Sequence, residues 1–407
     1  MADPITWYAL GRDILDTETI LEAIDAKLLT HNIDPSAHGQ ENESVYEHRA
    51  SELLDHLSYS IYNIKTNPAA RVYKAIVGTG IESDFVTLQA AIDWANLYRG
   101  GTILIKSGTY TLSQDLVLYS NIELLGEDDD LVTILFSSTT YNIKIVGTFG
   151  THKRNIEISR INFQSKSNLD NWKNIECKYA DDVNFERCKF TDSGETTGAP
   201  YSVFAENCER INFYNCRSIE AYTMVHYLNS KHCKVNNCYI SLCNGSLVDV
   251  ENSDHIIVSE NLAESCGVSV IFDYGGSSKT KVINNTIIDS GDYGVYLSSS
   301  GNWIIKGNHI FQTDFSGGGI YLDGSQRNII TDNEIIGTDW NGIKLVNSDH
   351  NNINSNIIYG NANYGIDISD AASSRNEVVG NQVYNNSVGN IHDLGTNTDQ
   401  GHNQVVT

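Results

Sequence analysis

The chain has little proline. Four stand in 407 residues, and none precedes a histidine. No run of 18 or more apolar residues occurs, so no stretch reads as a membrane-spanning helix. Cations are also scarce, with 27 Lys and Arg against 51 Asp and Glu, for a net charge of −24. A balance this acidic opposes binding to nucleic-acid backbones, where cation–phosphate contacts dominate. It likewise disfavours anionic lipid surfaces. Neutral sugars, cations or plain solubility remain compatible with it. Metal-binding spacings are missing too: the eight cysteines form no C-x-x-C pair followed by a second pair or by spaced histidines. Cys188, Cys216 and Cys238 fall at equivalent places in successive repeats, which predicts buried, stacked thiols rather than disulfides. The opening "MADPITWYALGRDILDTET" lacks the charged-then-apolar pattern of a secretory signal. The expectation is a protein kept inside the cell that makes it or released by lysis.

What is there is a repeat. "IYLDGSQRNIITDNEIIGTDWNG", from Ile320 to Gly342, is followed by "IKLVNSDHNNINSNIIYGNANYG", from Ile343 to Gly365. One asparagine marks the period: Asn215, Asn237, Asn261, Asn285, Asn308, Asn333, Asn356 and Asn381, spaced 22 to 25 residues apart. A period in the twenties, with short β-branched strands and no helical pattern, means a solenoid. Leucine-rich repeats share the period, but their Leu-x-x-Leu-x-Leu signature is absent. The spacing predicts an all-β parallel β-helix over 79–407, with about a dozen coils stacked at ~4.8 Å. A buried Asn at each turn would then bond to the Asn of the next coil, a structural task and not a functional one.

Residues 1–78 read differently. Capping boxes at Thr19/Glu22 and Ser44/Glu47 open two short helices, with a Pro- and Gly-containing loop between them. Two such helices bury little by themselves, so this region is expected to pack on the next domain, on sister chains or on a larger assembly. "DFVTLQAAIDWANLYRGG" then predicts a helix over about 85–98, started by Asp84, stopped by Gly100–Gly101 and covering the first coil.

These segments together resemble the right-handed parallel β-helix proteins of the pectate-lyase-like superfamily, over roughly residues 78–400. The coils resemble repeats shared by carbohydrate-binding proteins and sugar hydrolases. "DPSAHGQENESVYEHRASELLDH" is similar to segments that precede such domains in tail proteins of phages infecting Gram-positive bacteria. The resemblance implies a tail-spike-like homotrimer on a virion tail, joined to other tail proteins through its N-terminal region and acting on cell-surface polysaccharide. It implies no cofactor, with calcium as an alternative. The superfold hosts lyases, hydrolases, epimerases and non-catalytic adhesins, so a free polysaccharide-active enzyme and a purely structural spike stay open.

Alternation along the first strand of each coil predicts which side chains face out. The second position gives Phe204, His226, Asp249, Ile271, Tyr296, Tyr321, Lys344, Asp367 and His392. The fourth gives Glu206, Leu228, Glu251, Asp273, Ser298, Asp323, Val346 and Ser369. Glu251 and Asp273, in adjacent coils, should then lie ~5 Å apart. Carboxyls that close resist double ionisation, and one of them would suit a general acid. That separation matches a retaining glycosidase, whereas Asp273 and Asp323, at ~10 Å, lie at or beyond the inverting range. His226 next to Asp249 would make an oriented base, with His226 also a candidate for binding substrate and Asp249 for catalysis. Tyr296, Tyr321, Trp340 and Lys344 are candidate substrate-binding residues. Tyr293, Phe315, Trp340 and Tyr364, each near a Gly turn, form either a platform for sugar rings or a cover for the corner of the core. The carboxylates in turn form either a site, a solvated acidic face, or oxygen ligands for Ca²⁺.

Motifs of known activities are missing. The Gly-His-Gly motif of polygalacturonase-type pectinases does not occur, although Asp181–Asp182 resembles their paired aspartates and one Arg-x-Lys triplet stands at Arg187–Lys189. The Asp-Pro-His-Glu of alginate epimerases is absent. Lys344 is the only Lys or Arg on the expected face, so a long polyanion would meet mostly carboxylates. A neutral or weakly charged glycan fits better.

Overall fold

A computed structural model describes residues 74–80, 83–136, 141–165, 173–192, 201–313 and 318–406. The chain divides into two units, Met1–Arg71 and Val72–Thr407, and only the second is described here. The two helices expected near the N-terminus, and Phe315, lie outside the described residues.

The second unit is a parallel β-helix. Three sheets of 13, 12 and 13 strands run its length, and all their ladders are parallel. One coil shows the plan. Ile320–Asp323 lies in the second sheet, Ile329–Thr331 in the first and Glu334–Ile336 in the third. The chain then re-enters the second sheet at Ile343–Val346, one coil on, with Ile320 opposite Ile343 and Tyr321 opposite Lys344. That return is why the sequence repeats after 23 residues.

The alternation sends a few aliphatic columns inward. Val295, Ile320, Ile343 and Ile366 stack on one line, and Leu297, Leu322, Leu345 and Ile368 on another, all fully buried. Each strand is too short to bury its own face, so stability comes from coil-on-coil stacking. Glycines set the approach at the entry to the second sheet. A Cβ on Gly319 would sit 2.5 Å from the carbonyl oxygen of Gly342, and one on Gly342 would sit 2.6 Å from that of Gly365.

The helix spans Leu88–Leu97 and buries Leu88, Ala91, Ile92 and Ala95 against the first coil. Its N-cap is Thr87, whose hydroxyl accepts from the Ala90 N–H at 3.4 Å, and not Asp84. Asp84 instead accepts from the Ile76 N–H at 2.9 Å, pinning the first strand. The chain leaves the helix through Arg99 and Gly100, both with positive φ.

Asparagines form the expected ladder. Asn333 Nδ2 donates to Asn356 Oδ1 and to the Ile305 carbonyl, both at 2.9 Å, and the Asn308 N–H donates to Asn333 Oδ1 at 3.0 Å. Its membership needs one correction. The ladder begins at Asn261, and Cys188, Cys216 and Cys238 hold the same column above it: the Cys238 N–H donates to Asn261 Oδ1. Asn215 and Asn237 stand one residue earlier, in the left-handed turn position, with φ of 55° and 51°. A thiol fits the apolar upper column, while a short amide stabilises φ > 0 locally. All eight cysteines are buried and unpaired. A second ladder runs through Ser253, Ser277, Ser300, Ser325 and Ser348, each hydroxyl accepting from the backbone N–H of the coil before.

Candidate functional site

The outer face of the second sheet gathers the candidate residues. Register fixes one outward column: Glu176, Phe204, His226, Asp249, Phe272, Tyr296, Tyr321, Lys344, Asp367 and His392. Beside it lie Glu206, Leu228 and Glu251 in consecutive coils, then Ser298, Asp323 and Val346.

One coil departs from expectation. Ile271 pairs with Val248 and Val295 and is fully buried, so it faces in and Phe272 faces out. Asp273 pairs with Val250 and Leu297 and is also fully buried. Glu251 points out with a 39% exposed side chain, and Asp273 points into the core behind the sheet. The two carboxylates do not form a dyad on one face, and the Asp273–Asp323 spacing falls with it. A one-residue slip moves a side chain through the sheet, and "VIF" at 270–272 offers apolar residues to either face.

Asp273 is a buried acid in a leucine position. Burial pushes its pKa up to about 6. The Gly275 N–H donates to Oδ1 at 3.1 Å, and the hydroxyls of Ser277 and Ser300 face the carboxyl and pull the other way. Oδ2 still lacks a hydrogen bond of normal geometry.

His226 and Asp249 do share the outer face, at the floor of an aromatic nest. Phe204 stacks on the imidazole at 5.2 Å, Tyr201 meets it edge-on at 4.8 Å, and Tyr274 leans over it at 5.6 Å. His226 Nδ1 is 3.9 Å from Asp249 Oδ2, and Nε2 is 3.6 Å from Glu251 Oε2; these are ion-pair distances, not hydrogen bonds. Both ring nitrogens and Asp249 Oδ1 are buried without a hydrogen-bond partner. Burial pushes Tyr201 up to about 12, with Asp249 and Glu251 adding to it, and raises Tyr274 well above the ordinary phenol range.

From this nest a stripe of rings continues along the coils. Phe272 stacks on Tyr296 at 4.8 Å, Tyr296 meets Tyr321 edge-on at 5.2 Å, and Tyr293 packs on both. Lys344 Nζ stands 5.4 Å from the Tyr321 ring centre and 5.9 Å from that of Trp340, which is 39% exposed. Burial first, then Asp323, pushes Tyr321 up to about 12. Farther on, His392 bonds to Asp367 at 2.8 Å and stacks on Tyr364 at 4.6 Å. The Gly-turn aromatics therefore do both tasks: Tyr293 covers the stripe's flank, while Trp340 stands out.

Sequence reading missed Phe272 and Tyr274 through the register slip, and it missed Tyr201 because that ring reaches the face from one residue before the apolar core of its strand. The signal was present in "IFDYGG": once Asp273 is placed inside, both rings come out. Among the described residues, no group of three or more His, Cys, Asp or Glu is arranged to hold a metal ion. A concavity of about 580 Å³ lies along the third sheet, lined by Glu264, Asp289, Gln312 and Asp339, and no ring lines it.

Two sequence families match parts of the chain. The right-handed beta helix region matches residues 269–406, and the periplasmic copper-binding protein (NosD) family matches residues 192–337. No curated protein matches in sequence. Solved structures match in fold. The A-module of the Azotobacter vinelandii mannuronan C-5 epimerase AlgE6 is 16% identical with a TM-score of 0.60, covering 78% of this chain and 94% of that one. Tailspike protein 3 of bacteriophage CBA120 is 13% identical with a TM-score of 0.55, covering 82% and 61%. A mutant tailspike of E. coli bacteriophage HK620, in complex with a hexasaccharide, is 16% identical with a TM-score of 0.55, covering 75% and 64%. In fold, then, this chain is a right-handed parallel β-helix, the architecture that the epimerase module and the two tailspikes also have.

Proposed function

We propose that the outer face of the second sheet binds an extended cell-surface polysaccharide, and that the chain serves as a tail-spike-like protein. One observation carries this reading: the unbroken stripe Phe272–Tyr296–Tyr321 with Trp340 at its edge, half-exposed rings repeated at the coil spacing. The outward column that contains this stripe, from His226 to Lys344, spans five coil steps, or about 24 Å, long enough to lie under several sugar units in line. Aromatic faces suit sugar rings because they cover apolar C–H surface while hydroxyls stay wet. The tailspike architecture among fold neighbours, and the N-terminal segment resembling those of phage tail proteins, support placement on a virion tail. In this reading residues 1–78 attach the protein to other tail components and hold it as a homotrimer, and the protein acts outside the cell after release.

A second reading, a free polysaccharide-active enzyme, is favoured by the His226–Asp249–Glu251 cluster. An imidazole set between two carboxylates is placed for general acid–base work, and Glu251 is exposed enough to reach a substrate. Incubating the protein with purified host surface polysaccharides separates the readings. Retention with intact chains supports a binding spike, and shortened chains that survive Tyr296→Ala but not His226→Ala support the enzyme. Failure to retain any host polysaccharide would sink the polysaccharide reading itself.

A further inference from the structure

Charge on this face is distributed in a way that the shape of a sugar ring does not explain. Lysines toward its N-terminal end are already paired: Lys144 with Asp115, Lys173 with Glu176 at 3.4 Å and Lys178 with Glu206 at 2.8 Å. Three carboxylates in the middle have no such lysine, and Asp249 and Glu251 have only the imidazole of His226 at ion-pair distance. Among the described residues, no Lys or Arg lies within ion-pair distance of Asp249, Glu251 or Asp323. Asp249 and the adjacent His226 are 3% and 4% exposed, sit on the outward column, and carry polar atoms with no hydrogen-bond partner. Bare buried groups of this kind are costly, and a polar partner on the open side relieves the cost.

The protein's own ammonium groups show what these rings accept. Lys173 Nζ stands 3.7 Å from the centre of the Phe204 ring at one end, and Lys344 Nζ stands over Tyr321 and Trp340 at the other. Those are distances of a cation held on a ring face. Phe272, Tyr274 and Tyr296 lie between the two ends, beside the three carboxylates. No lysine or arginine of the described residues stands over them.

We propose that this middle stretch takes the ammonium groups of a polysaccharide bearing free primary amines, an amino-sugar polymer. The inference rests on the polysaccharide reading of the same face and names its substrate class. Each amine lies over a ring, with Glu251 or Asp323 supplying opposite charge at its side and Asp249 adding field from the buried floor. An acidic polymer would instead meet those three carboxylates with Lys344 alone to offset them.

The test compares a glucosamine hexamer with its fully N-acetylated counterpart, by calorimetric titration of the whole protein at low salt. The amine form is expected to bind roughly tenfold tighter, from two or three such contacts. Glu251→Gln and Asp323→Asn should each cut that preference roughly two- to fivefold, weakening the amine hexamer more than the acetylated one. Glu377→Gln, on the first sheet, should leave the preference intact, which separates a local site from the general pull of a −24 protein. Equal affinity for the two hexamers, no binding of the amine hexamer, or an equal loss in Glu377→Gln would each overturn the proposal. Host polysaccharide retained without an amine preference defeats this inference alone. Retention of none defeats the polysaccharide reading as well.

Discussion

Replacing Asp273 by Asn should make the protein more stable at neutral pH and leave it unchanged in acid. In the unfolded chain this carboxyl titrates near its ordinary 3.8, and in the folded one near 6. Between those values the folded state holds the extra proton, so stability falls as pH rises through the window and stays low above it. The full penalty, about two pKa units, is on the order of 3 kcal/mol. Asn keeps the shape, carries no charge, and retains an acceptor for the Gly275 N–H. Its amide can also turn toward the Ser277 and Ser300 hydroxyls, where Oδ2 now has no bond. For a domain of this length, 3 kcal/mol corresponds to a rise of roughly 4 °C in melting midpoint. Circular dichroism melts at a fixed scan rate, at about pH 8 and about pH 3, read the difference directly. A gain at the higher pH that vanishes at the lower one is the expected pattern. A difference of the same size at both pH values, or a loss at both, would refute the burial of an ionisable carboxyl at this position.

Other perturbations have equally direct expectations. Gly342→Ala should destabilise by ~2 kcal/mol or more, because the new Cβ meets both the Gly365 carbonyl and Ile358, and overpacking against backbone has no soft way out. Asn333→Ala should cost about 3 kcal/mol in urea unfolding, since it strips partners from the Asn308 amide and the Ile305 carbonyl inside the rod. Trp340→Ala and Tyr321→Ala should each weaken polysaccharide binding by about 1 kcal/mol or more while shifting stability by less than that, because both rings are partly exposed. Unchanged binding in both would show that the stripe is only a cover for the sheet.

Much of the architecture was readable because each coil repeats its own instructions. The Ile320/Ile343 and Leu322/Leu345 pairs carry the strand alternation, and the Asn333–Asn356–Asn381 column carries the period, so the coil count and the outward parity of Tyr296, Tyr321 and Lys344 followed from spacing alone. Parity failed where local sequence was ambiguous. Val270, Ile271 and Phe272 are three apolar residues in a row, and an aspartate fills a leucine position, so only the neighbouring strands determine which side faces in. The serine ladder was invisible for another reason: serine is common in turns, and its burial comes from the stacking of coils. The nest around His226 depends on Tyr201 and Tyr274 reaching over the sheet, which no periodicity encodes.

The three sheets also have a mechanical meaning. Their hydrogen bonds point along the rod from coil to coil, and the Asn and Ser columns add further bonds in the same direction. Tension along the axis therefore loads each coil–coil junction in series and peels the rod one coil at a time. A load across the axis is shared by peptide bonds running around every coil, so such a rod resists crushing far better than it resists being pulled apart from its tip.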